Sequence, residues 1–338
     1  MQDLNTNQTN TLSSIVSPDR FSTGPSNREL HRRDISPHRR MLPDGIIWPV
    51  TTEEVAQILS WSYANDVPVT PWGAGTSTEG NPVPTRGGLV VDLTRMDLIL
   101  DIRPQDLQTD VQPGVLRKEL NRQAGRHGLF FPPDPGADAT IGGMIANNAS
   151  GVKTVKYGAT KDYVMRLTVV LPAGSVIHTG CKAPKSSSGY DLTRLFVGSE
   201  GTLGIVTEAT LRLTGIPSHH LAATVTFDRL EDASNAVAVL MGSGLGPAAL
   251  ELLPPQLMVA AADWQRFFAD TAGSGVGLLF DVAHLKISHQ VGGVDVDEAF
   301  TWLLEEGLEH LVQVHVSDNS GTFDDHEPIT GGSTTLGW

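Results

Sequence analysis

The sequence predicts an α+β protein, because stretches of strand-like alternation and helical periodicity follow one another without a strict βαβ repeat. Two features of composition agree with this class. Apolar residues make up 40% of the 338 residues, enough for a packed core, and charged residues make up 18%. The 35 glycines and 21 prolines indicate many tight turns between short elements.

The formal charge is unevenly distributed along the chain. Of the net −14, residues 263–338 carry −11, from 13 acidic and 2 basic residues, which leaves −3 for the first 262. This asymmetry predicts that the chain consists of two parts of different character. Because the chain is acidic overall, it is a poor candidate for binding the phosphate backbone of nucleic acids. The single cysteine, Cys181, excludes a disulfide framework. No apolar run approaches ~18 residues, so we expect no membrane span.

Four segments are predicted. Residues 1–42, polar and then arginine-rich, are expected to be a disordered or basic leader with no secretory signal, which makes the cytoplasm the default location. Residues 43–216 should form the first folded domain. Residues 217–262 begin a second domain that breaks off, and residues 263–338 form an acidic fragment.

The elements of the folded domains follow in order. Thr51 or Thr52 can cap a helix, and Glu54 is placed to help close a capping box. The apolar face of this helix contains Val55, Ile58 and Leu59. Beyond it we predict strands at 67–70, 89–93 and 107–111, a helix at 115–127 ended by Gly128, a hairpin over 165–178 and a strand at 205–213. The second domain should open with a strand at 221–227, a helix at 230–241 and a return to strand over 246–253.

Three glycine-rich segments lie between these elements, at 71–80, 134–151 and 198–205. Glycines let the backbone approach a ligand closely and turn successive N–H groups toward one point, and Ser and Thr add hydroxyl donors. Such loops suit a pyrophosphate without a lysine. The first segment lacks the third glycine of a dinucleotide fingerprint, and no P-loop motif occurs, so neither of those sites is supported.

Several motifs in sequence order carry a family resemblance. They are Pro71–Ser77, Val111–Gly114, Ala139–Gly143 with Asn147 and Asn148, Gly189–Leu192, and Val197–Ile205. With them, residues 43–216 resemble the two-subdomain, PCMH-type FAD-binding domain of the vanillyl-alcohol oxidase class. Within that class they are most similar to the branch that contains D-lactate dehydrogenase and the flavin-binding chain of glycolate oxidase.

The resemblance implies an FAD held by backbone N–H groups and hydroxyls. It assigns cofactor contacts to Pro71, Trp72, Gly73, Ala74, Gly75, Thr76, Ser77, Gly80, Pro113, Gly114, Pro135, Ala139, Thr140, Gly142, Gly143, Asn147, Asn148, Gly151, Tyr157, Gly158, Glu200, Gly201, Gly204 and Ile205. Relatives that attach the flavin covalently use a histidine, and the first two glycine-rich segments have none, so we expect non-covalent FAD.

The implied reaction is hydride transfer from Cα of a D-2-hydroxy acid, of the D-lactate or glycolate type, to flavin N5. The small-molecule substrate is one partner, and the electron acceptor is not specified. The branch places its substrate and metal residues in a C-terminal cap, in His-Gly-Asp-Gly-Asn-x-His and Glu-His-Gly-x-Gly motifs. Neither motif occurs here, so the catalytic residues are unassigned, and a flavin-binding protein without turnover is the alternative.

The acidic fragment carries a second resemblance. A strand over 277–284, a helix over 297–309 and a strand over 311–318 resemble part of a xylose-isomerase-like TIM barrel, a partial (β/α) barrel fragment. On that resemblance Asp281, His284, His315, Asp324 and His326 match metal-ligand positions, and such ligands suit a divalent metal. A metal-dependent sugar-phosphate isomerase or epimerase activity, a non-functional remnant, and self-association into a homo-oligomer that completes a barrel are the alternatives.

Overall fold

The computed structural model describes residues 4–219, 222–227, 229–253 and 276–281. It divides into a first unit, residues 1–151 with 158–216, and a second unit, residues 152–157 with 217–338. The helices are α1 Thr6–Ile15, α2 Pro25–Leu30, α3 Thr52–Ala64, α4 Arg117–Gly125, α5 Ile141–Ala146, α6 Thr154–Tyr157, α7 Leu192–Phe196 and α8 Leu230–Gly242. The strands are β1 Phe21–Ser22, β2 Gly45–Ile47, β3 Val69–Trp72, β4 Leu89–Asp92, β5 Ile99–Arg103, β6 Gln108–Val111, β7 Leu129–Phe130, β8 Val164–Val170, β9 Val176–Gly180, β10 Ile205–Arg212, β11 Thr214–Gly215, β12 Ala222–Phe227, β13 Leu250–Leu253 and β14 Val276–Asp281. In this part of the chain no helix is both long and apolar enough to cross a membrane.

Residues 1–42 differ from the predicted disordered leader, because they are folded where the structure describes them. Asn5 and Gln8 close a capping box at the start of α1, each side chain bonded to the other's backbone N–H at 2.9 Å. Leu12 and Val16 are buried in a core cluster that includes Val55 of α3. Composition did not indicate this helix, because the contacts of Leu12 and Val16 are with residues far away in the sequence; the hydroxyls of Thr9, Thr11, Ser13 and Ser14 bond to carbonyls one turn back within α1.

Further ties fix the leader to the first unit. Arg20 donates through both terminal nitrogens to the Glu54 carboxylate, at 2.6 and 2.7 Å. Burial of Glu54 works against its ionised form, but the bonds from Arg20 and the Val50 N–H leave the pKa of Glu54 below its usual value. The bidentate pair thus joins the leader to the first turn of α3. Of the two predicted caps, Thr51 is the N-cap, and its hydroxyl accepts from the Glu54 N–H.

The first sheet has the strand order β1-β2-β4-β3, with β2 and β3 parallel to the central β4. Leu89, Val90 and Val91 of β4 are fully buried, as expected for a parallel strand covered on both faces. Helix α3 forms the crossover from β2 to β3 and buries Ile58 and Leu59. Strand β3 therefore ends at Trp72, at the carboxyl edge of the sheet, where the first glycine-rich segment begins.

The second sheet is antiparallel, in the order β5-β6-β10-β8-β9, and contains the predicted hairpin as β8 and β9. Asp110 on β6 is a node of this sheet, since it accepts bonds from Arg103, Lys182 and Thr210 at 2.6–3.1 Å. Burial opposes ionisation of Asp110, but these bonds hold its pKa far below the usual range. Strand β10 begins at Ile205, directly after the third glycine-rich segment.

The second unit contains an antiparallel sheet in the order β12-β14-β13, with α8 connecting β12 to β13. The predicted strand near 277–284 is present as β14, over 276–281, but it pairs antiparallel with both neighbours. The strands of a (β/α) barrel are parallel, so this pairing differs from the predicted barrel fragment. The sheet also contains strands from both sides of the predicted boundary at 262–263. Residues 276–281 therefore share a sheet with 222–253, while the helix predicted at 297–309 and the strand at 311–318 lie outside the described residues.

Removing the buried anchor of the leader should destabilise the first unit. Leu12→Ala is expected to lower the free energy of unfolding by about 2–5 kcal/mol, because Leu12 is fully buried in the core cluster. The matched control Leu30→Ala, at a side chain that is 69% exposed, should change it by less than about 0.5 kcal/mol. Urea unfolding measures both. Equal midpoints for the two variants would show that the leader is not part of the core.

Asp110 should contribute stability that depends on pH. Its folded pKa is depressed, so its contribution is present above the unfolded pKa of about 3.9 and is lost as the pH falls toward the folded pKa. Asp110→Asn is expected to cost about 1.5–3 kcal/mol near neutral pH, and this difference from the wild type should shrink on acidification below about pH 4. Urea unfolding at several pH values measures the gap. Asp106→Asn is the control, since Asp106 is exposed and its carboxylate lies 3.9 Å from Arg103 Nε. A difference in unfolding free energy between Asp110→Asn and the wild type that stays constant with pH would contradict the role given to Asp110.

Candidate functional site

The three glycine-rich segments of the first unit line one cavity of about 790 Å³. We call them the first loop (residues 73–82, after β3), the second loop (134–151, around α5) and the third loop (197–204, before β10). The volume lies within the ~300–1,000 Å³ that small-molecule sites occupy. Segments far apart in sequence thus meet around a space large enough for an organic cofactor.

The first loop turns tightly because of its glycines. Gly75 has φ +66°, and a Cβ added to it would lie 2.6 Å from the Trp72 ring. A Cβ on Gly73 would collide with the Thr140 hydroxyl of the second loop. Among the described residues, no acceptor is found for the backbone N–H groups of Ala74, Gly75 and Thr76. Successive uncommitted N–H groups in a glycine-rich turn are suited to bind an anion.

A small polar cluster joins the first loop to the second. The Asn147 amide donates to the Ser77 hydroxyl at 3.1 Å and to Asn81 Oδ1 at 3.2 Å, and the Asn81 amide donates back to Asn147 Oδ1 at 3.1 Å. The Ser77 hydroxyl in turn donates to Asn81 Oδ1 at 2.5 Å. Three side chains on two segments therefore fix each other at the cavity wall.

The second and third loops are joined by backbone bonds. Gly198 N–H donates to the Ile145 carbonyl and Glu200 N–H to the Ala146 carbonyl, both at 2.9 Å. Glu200 has φ +53°, an uncommon conformation for a non-glycine residue. A Cβ on Gly201 would collide with the Pro71 ring, so the third loop also lies against the end of β3, from which the first loop leaves. The second loop thus contacts both of the others, and the third loop packs beside the start of the first.

The cavity carries no positive side chain among the lining residues that the structure describes, and its charged groups are the carboxylates of Glu79 and Glu200. An anionic ligand would therefore be held by backbone N–H groups and hydroxyls rather than by an ion pair. The same described lining contains no histidine, and the non-covalent state of the cofactor stays a prediction.

Most of the sequence-predicted cofactor residues meet at this cavity. Those lining it are Pro71, Trp72, Gly73, Ala74, Gly75, Thr76, Ser77, Pro113, Pro135, Ala139, Thr140, Gly142, Gly143, Asn147, Asn148, Glu200, Gly201, Gly204 and Ile205. The remaining five, Gly80, Gly114, Gly151, Tyr157 and Gly158, are not among the lining residues.

Three of these glycines shape the site indirectly. Gly80 has φ +84° and donates its N–H to the Asp34 carboxylate at 2.8 Å. Gly114 is packed so closely on the carbonyls of Leu93 and Met96 that a Cβ would overlap both. Gly158 has φ +83° beside the Asp162 carboxylate. Glycine is needed at these positions for a turn or for close packing of the backbone. A sequence motif does not distinguish a glycine of this kind from one that contacts a ligand.

Sequence reasoning missed several lining residues, among them Ile35, Asn81 and Phe196. Ile35 belongs to the leader, and nothing local in the sequence indicates that it reaches the cavity. Asn81 lies one residue beyond the first glycine-rich segment, and a polar side chain so close to that loop was the available signal.

The predicted metal site is not represented by the described side chains. Among the residues that the structure describes, no group of three or more His, Cys, Asp or Glu side chains could hold a metal ion. His284, His315, Asp324 and His326 lie outside the described residues, and Asp281 is described only as the end of β14. The metal ligands therefore stay a prediction.

Comparisons with known proteins agree with the geometry. Residues 43–180 match the FAD binding domain family. The chain is 38% identical over 270 residues to glycolate oxidase subunit GlcD of Bacillus subtilis, covering 79% of this chain and 57% of that protein. It is 42% identical over 212 residues to the mitochondrial D-lactate dehydrogenase [cytochrome] of Arabidopsis thaliana, covering 63% and 37%.

A solved structure of alkyldihydroxyacetonephosphate synthase superposes with a TM-score of 0.73 at 20% identity, covering 89% of this chain and 60% of that one. This likeness shows the fold. The chain spans about half the length of the curated relatives that it matches.

The first loop offers a direct test of the cavity. Gly75→Ala should weaken FAD binding about tenfold or more, because alanine is strained at φ +66° and its Cβ would press on the Trp72 ring. Gly215→Ala is the matched control, since a Cβ there meets nothing within 4 Å. Titration of FAD, followed by quenching of its fluorescence, gives both affinities, and circular dichroism checks folding. Unchanged affinity in a folded Gly75→Ala protein would place the cofactor elsewhere.

Proposed function

We propose that this chain, whose residues 43–180 are an FAD-binding domain, holds FAD non-covalently in the cavity and uses it to oxidise a D-2-hydroxy acid of the D-lactate or glycolate type. One observation supports the first half of this proposal: three glycine-rich loops of the first unit, two of them within residues 43–180, line a cavity of about 790 Å³, and three successive backbone N–H groups of the first loop have no acceptor among the described residues. The names of the relatives support the substrate class.

The residues present fit the cofactor. The N–H groups of Ala74, Gly75 and Thr76 would bind the pyrophosphate, because they are neutral donors that need no counter-ion. The cluster of Ser77, Asn81 and Asn147 would keep the first loop in place around it. In the third loop, Glu200, Gly201 and Gly204 line the cavity, and we propose that they too contact the cofactor.

When bound, FAD supplies a hydride acceptor at its N5 atom. The protein must then orient the substrate carboxylate and accept the proton of the substrate hydroxyl. The described lining offers the carboxylates Glu79 and Glu200 but no cation, so a cationic partner for the substrate carboxylate would come from residues outside this lining. The cap motifs that perform this task in the resembled branch do not occur in the sequence, and we assign no catalytic residue.

We further propose that the protein works in the cytoplasm and passes its electrons to an acceptor that the sequence does not specify. The alternative is a protein that binds flavin without turnover. The metal-dependent isomerase alternative rests on residues outside those described and gains no support from the cavity.

Reduction of the bound flavin distinguishes these functions. Adding D-lactate or glycolate to the FAD-loaded protein without oxygen should bleach the visible flavin absorbance, because a transferred hydride removes the oxidised chromophore. L-lactate is the control for D-lactate and should bleach it more slowly. Flavin that stays oxidised with both substrates, in a protein that retains FAD, would reject the oxidase function and favour binding without turnover.

A further inference from the structure

Residues 28–43, which we call the basic loop, form a surface that the proposed reaction does not use. The loop is closed by two bonds between its limbs: the Met41 N–H donates to the Arg32 carbonyl at 2.9 Å, and Arg28 Nε donates to the Pro43 carbonyl at 2.6 Å. Residues at the two ends of this segment are therefore neighbours in space.

The basic loop exposes arginines for which the described residues supply no acidic partner. Arg33, Arg39 and Arg40 are exposed, and within the described ranges of the chain no ion pair joins them to a carboxylate. Arg32, by contrast, pairs with Glu29. Because the whole chain carries a net charge of −14, this concentration of positive charge is local and would orient the protein on an anionic surface.

Large aliphatic side chains are exposed among these arginines. Leu30, Ile35 and Leu42 are 69%, 65% and 47% exposed. An isolated exposed leucine needs no explanation, but three within one closed loop of unpaired arginines form a mixed apolar and cationic surface. Such a surface fits the interface of a bilayer, where aliphatic groups enter between the lipids and guanidinium groups contact their phosphates.

The basic loop lies beside the cavity. The Asp34 carboxylate accepts the Gly80 N–H of the first loop, and the Ile35 N–H donates to the Ser77 carbonyl at 3.2 Å. Ile35 also lines the cavity. A membrane bound to the basic loop would therefore adjoin the wall of the cofactor site.

We propose that the basic loop is a peripheral docking site for an anionic lipid surface. The protein would lie on the bilayer through Leu30, Leu42 and the three unpaired arginines. Arginine near an anionic leaflet gains about 1 kcal/mol, which is about a fivefold change in partition for each residue. The proposal does not depend on the oxidation of a hydroxy acid, and its test uses no substrate.

Co-sedimentation of the full chain with vesicles tests the proposal. The probes are vesicles of three parts phosphatidylcholine to one part phosphatidylglycerol, and vesicles of phosphatidylcholine alone. We expect binding to the first kind, weakened by added salt, and little binding to the second. No binding to the anionic vesicles, or equal binding to both kinds, would overturn the proposal.

Charge removal localises the binding. Arg33→Gln/Arg39→Gln/Arg40→Gln should lower the partition onto anionic vesicles about 100-fold. The control Lys118→Gln/Arg122→Gln/Arg126→Gln removes the same charge from exposed positions of α4 and its C-cap, and it should change the partition severalfold at most. Equal losses in the two variants would overturn the assignment to the basic loop.

A second variant keeps the test valid if the arginine variant fails to fold, as judged by circular dichroism. Leu30→Ser/Leu42→Ser leaves the charge intact and should lower the partition severalfold, because the aliphatic contact with the lipids is lost. An acidic protein partner is the competing occupant. Binding to soluble poly-L-glutamate through the basic loop, with no binding to anionic vesicles, would favour that partner and reject the membrane.

Discussion

The close approach of three backbone segments at glycine positions is the constraint on which the rest of the site depends. Side chains at Gly73 and Gly201 would collide with Thr140 and Pro71, which belong to other segments of the same cavity wall. The backbone bonds from Gly198 and Glu200 to the end of α5 require the same short distances. The cavity therefore exists because these segments can approach one another closely, and the first loop, whose N–H groups at residues 74–76 have no acceptor among the described residues, lines it.

The leader also contributes to this arrangement, through His31. His31 is buried between Trp48 and Trp72, and its ring nitrogens lie 2.8 Å from the Asn27 carbonyl and 2.9 Å from the Asp92 carboxylate. Asp92 also accepts from Trp48 Nε1 at 2.7 Å. Trp72 is the last residue of β3 and the residue against which Gly75 turns, so the leader packs against the base of the first loop. It is part of the structure that shapes the cavity.

The sequence predicted the parts of this architecture that local patterns encode. The cap at Thr51, the buried run of β4, the β8–β9 hairpin and the three glycine-rich loops all follow from short-range propensity and turn chemistry. It failed where stability comes from distant contacts. Helix α1 reads as a polar stretch because its single fully buried residue, Leu12, matters only once α3 is in place. The pairing of β14 between β12 and β13 likewise depends on strands more than 20 residues away in sequence.

In the first unit, the described lining of the cavity contains no positive side chain, and this suits a site that binds an anion through uncharged N–H and hydroxyl donors. Backbone N–H dipoles are fixed by the fold and bind an anion without bringing a mobile counter-charge into the cavity. A lysine or arginine in the lining would attract the negatively charged cofactor, but it would also pair with Glu79 or Glu200 and compete with the ligand. The unpaired arginines instead lie on the basic loop, outside the lining. The described lining of the cavity therefore stays free of cations, while positive charge remains available for contacts at the surface beside it.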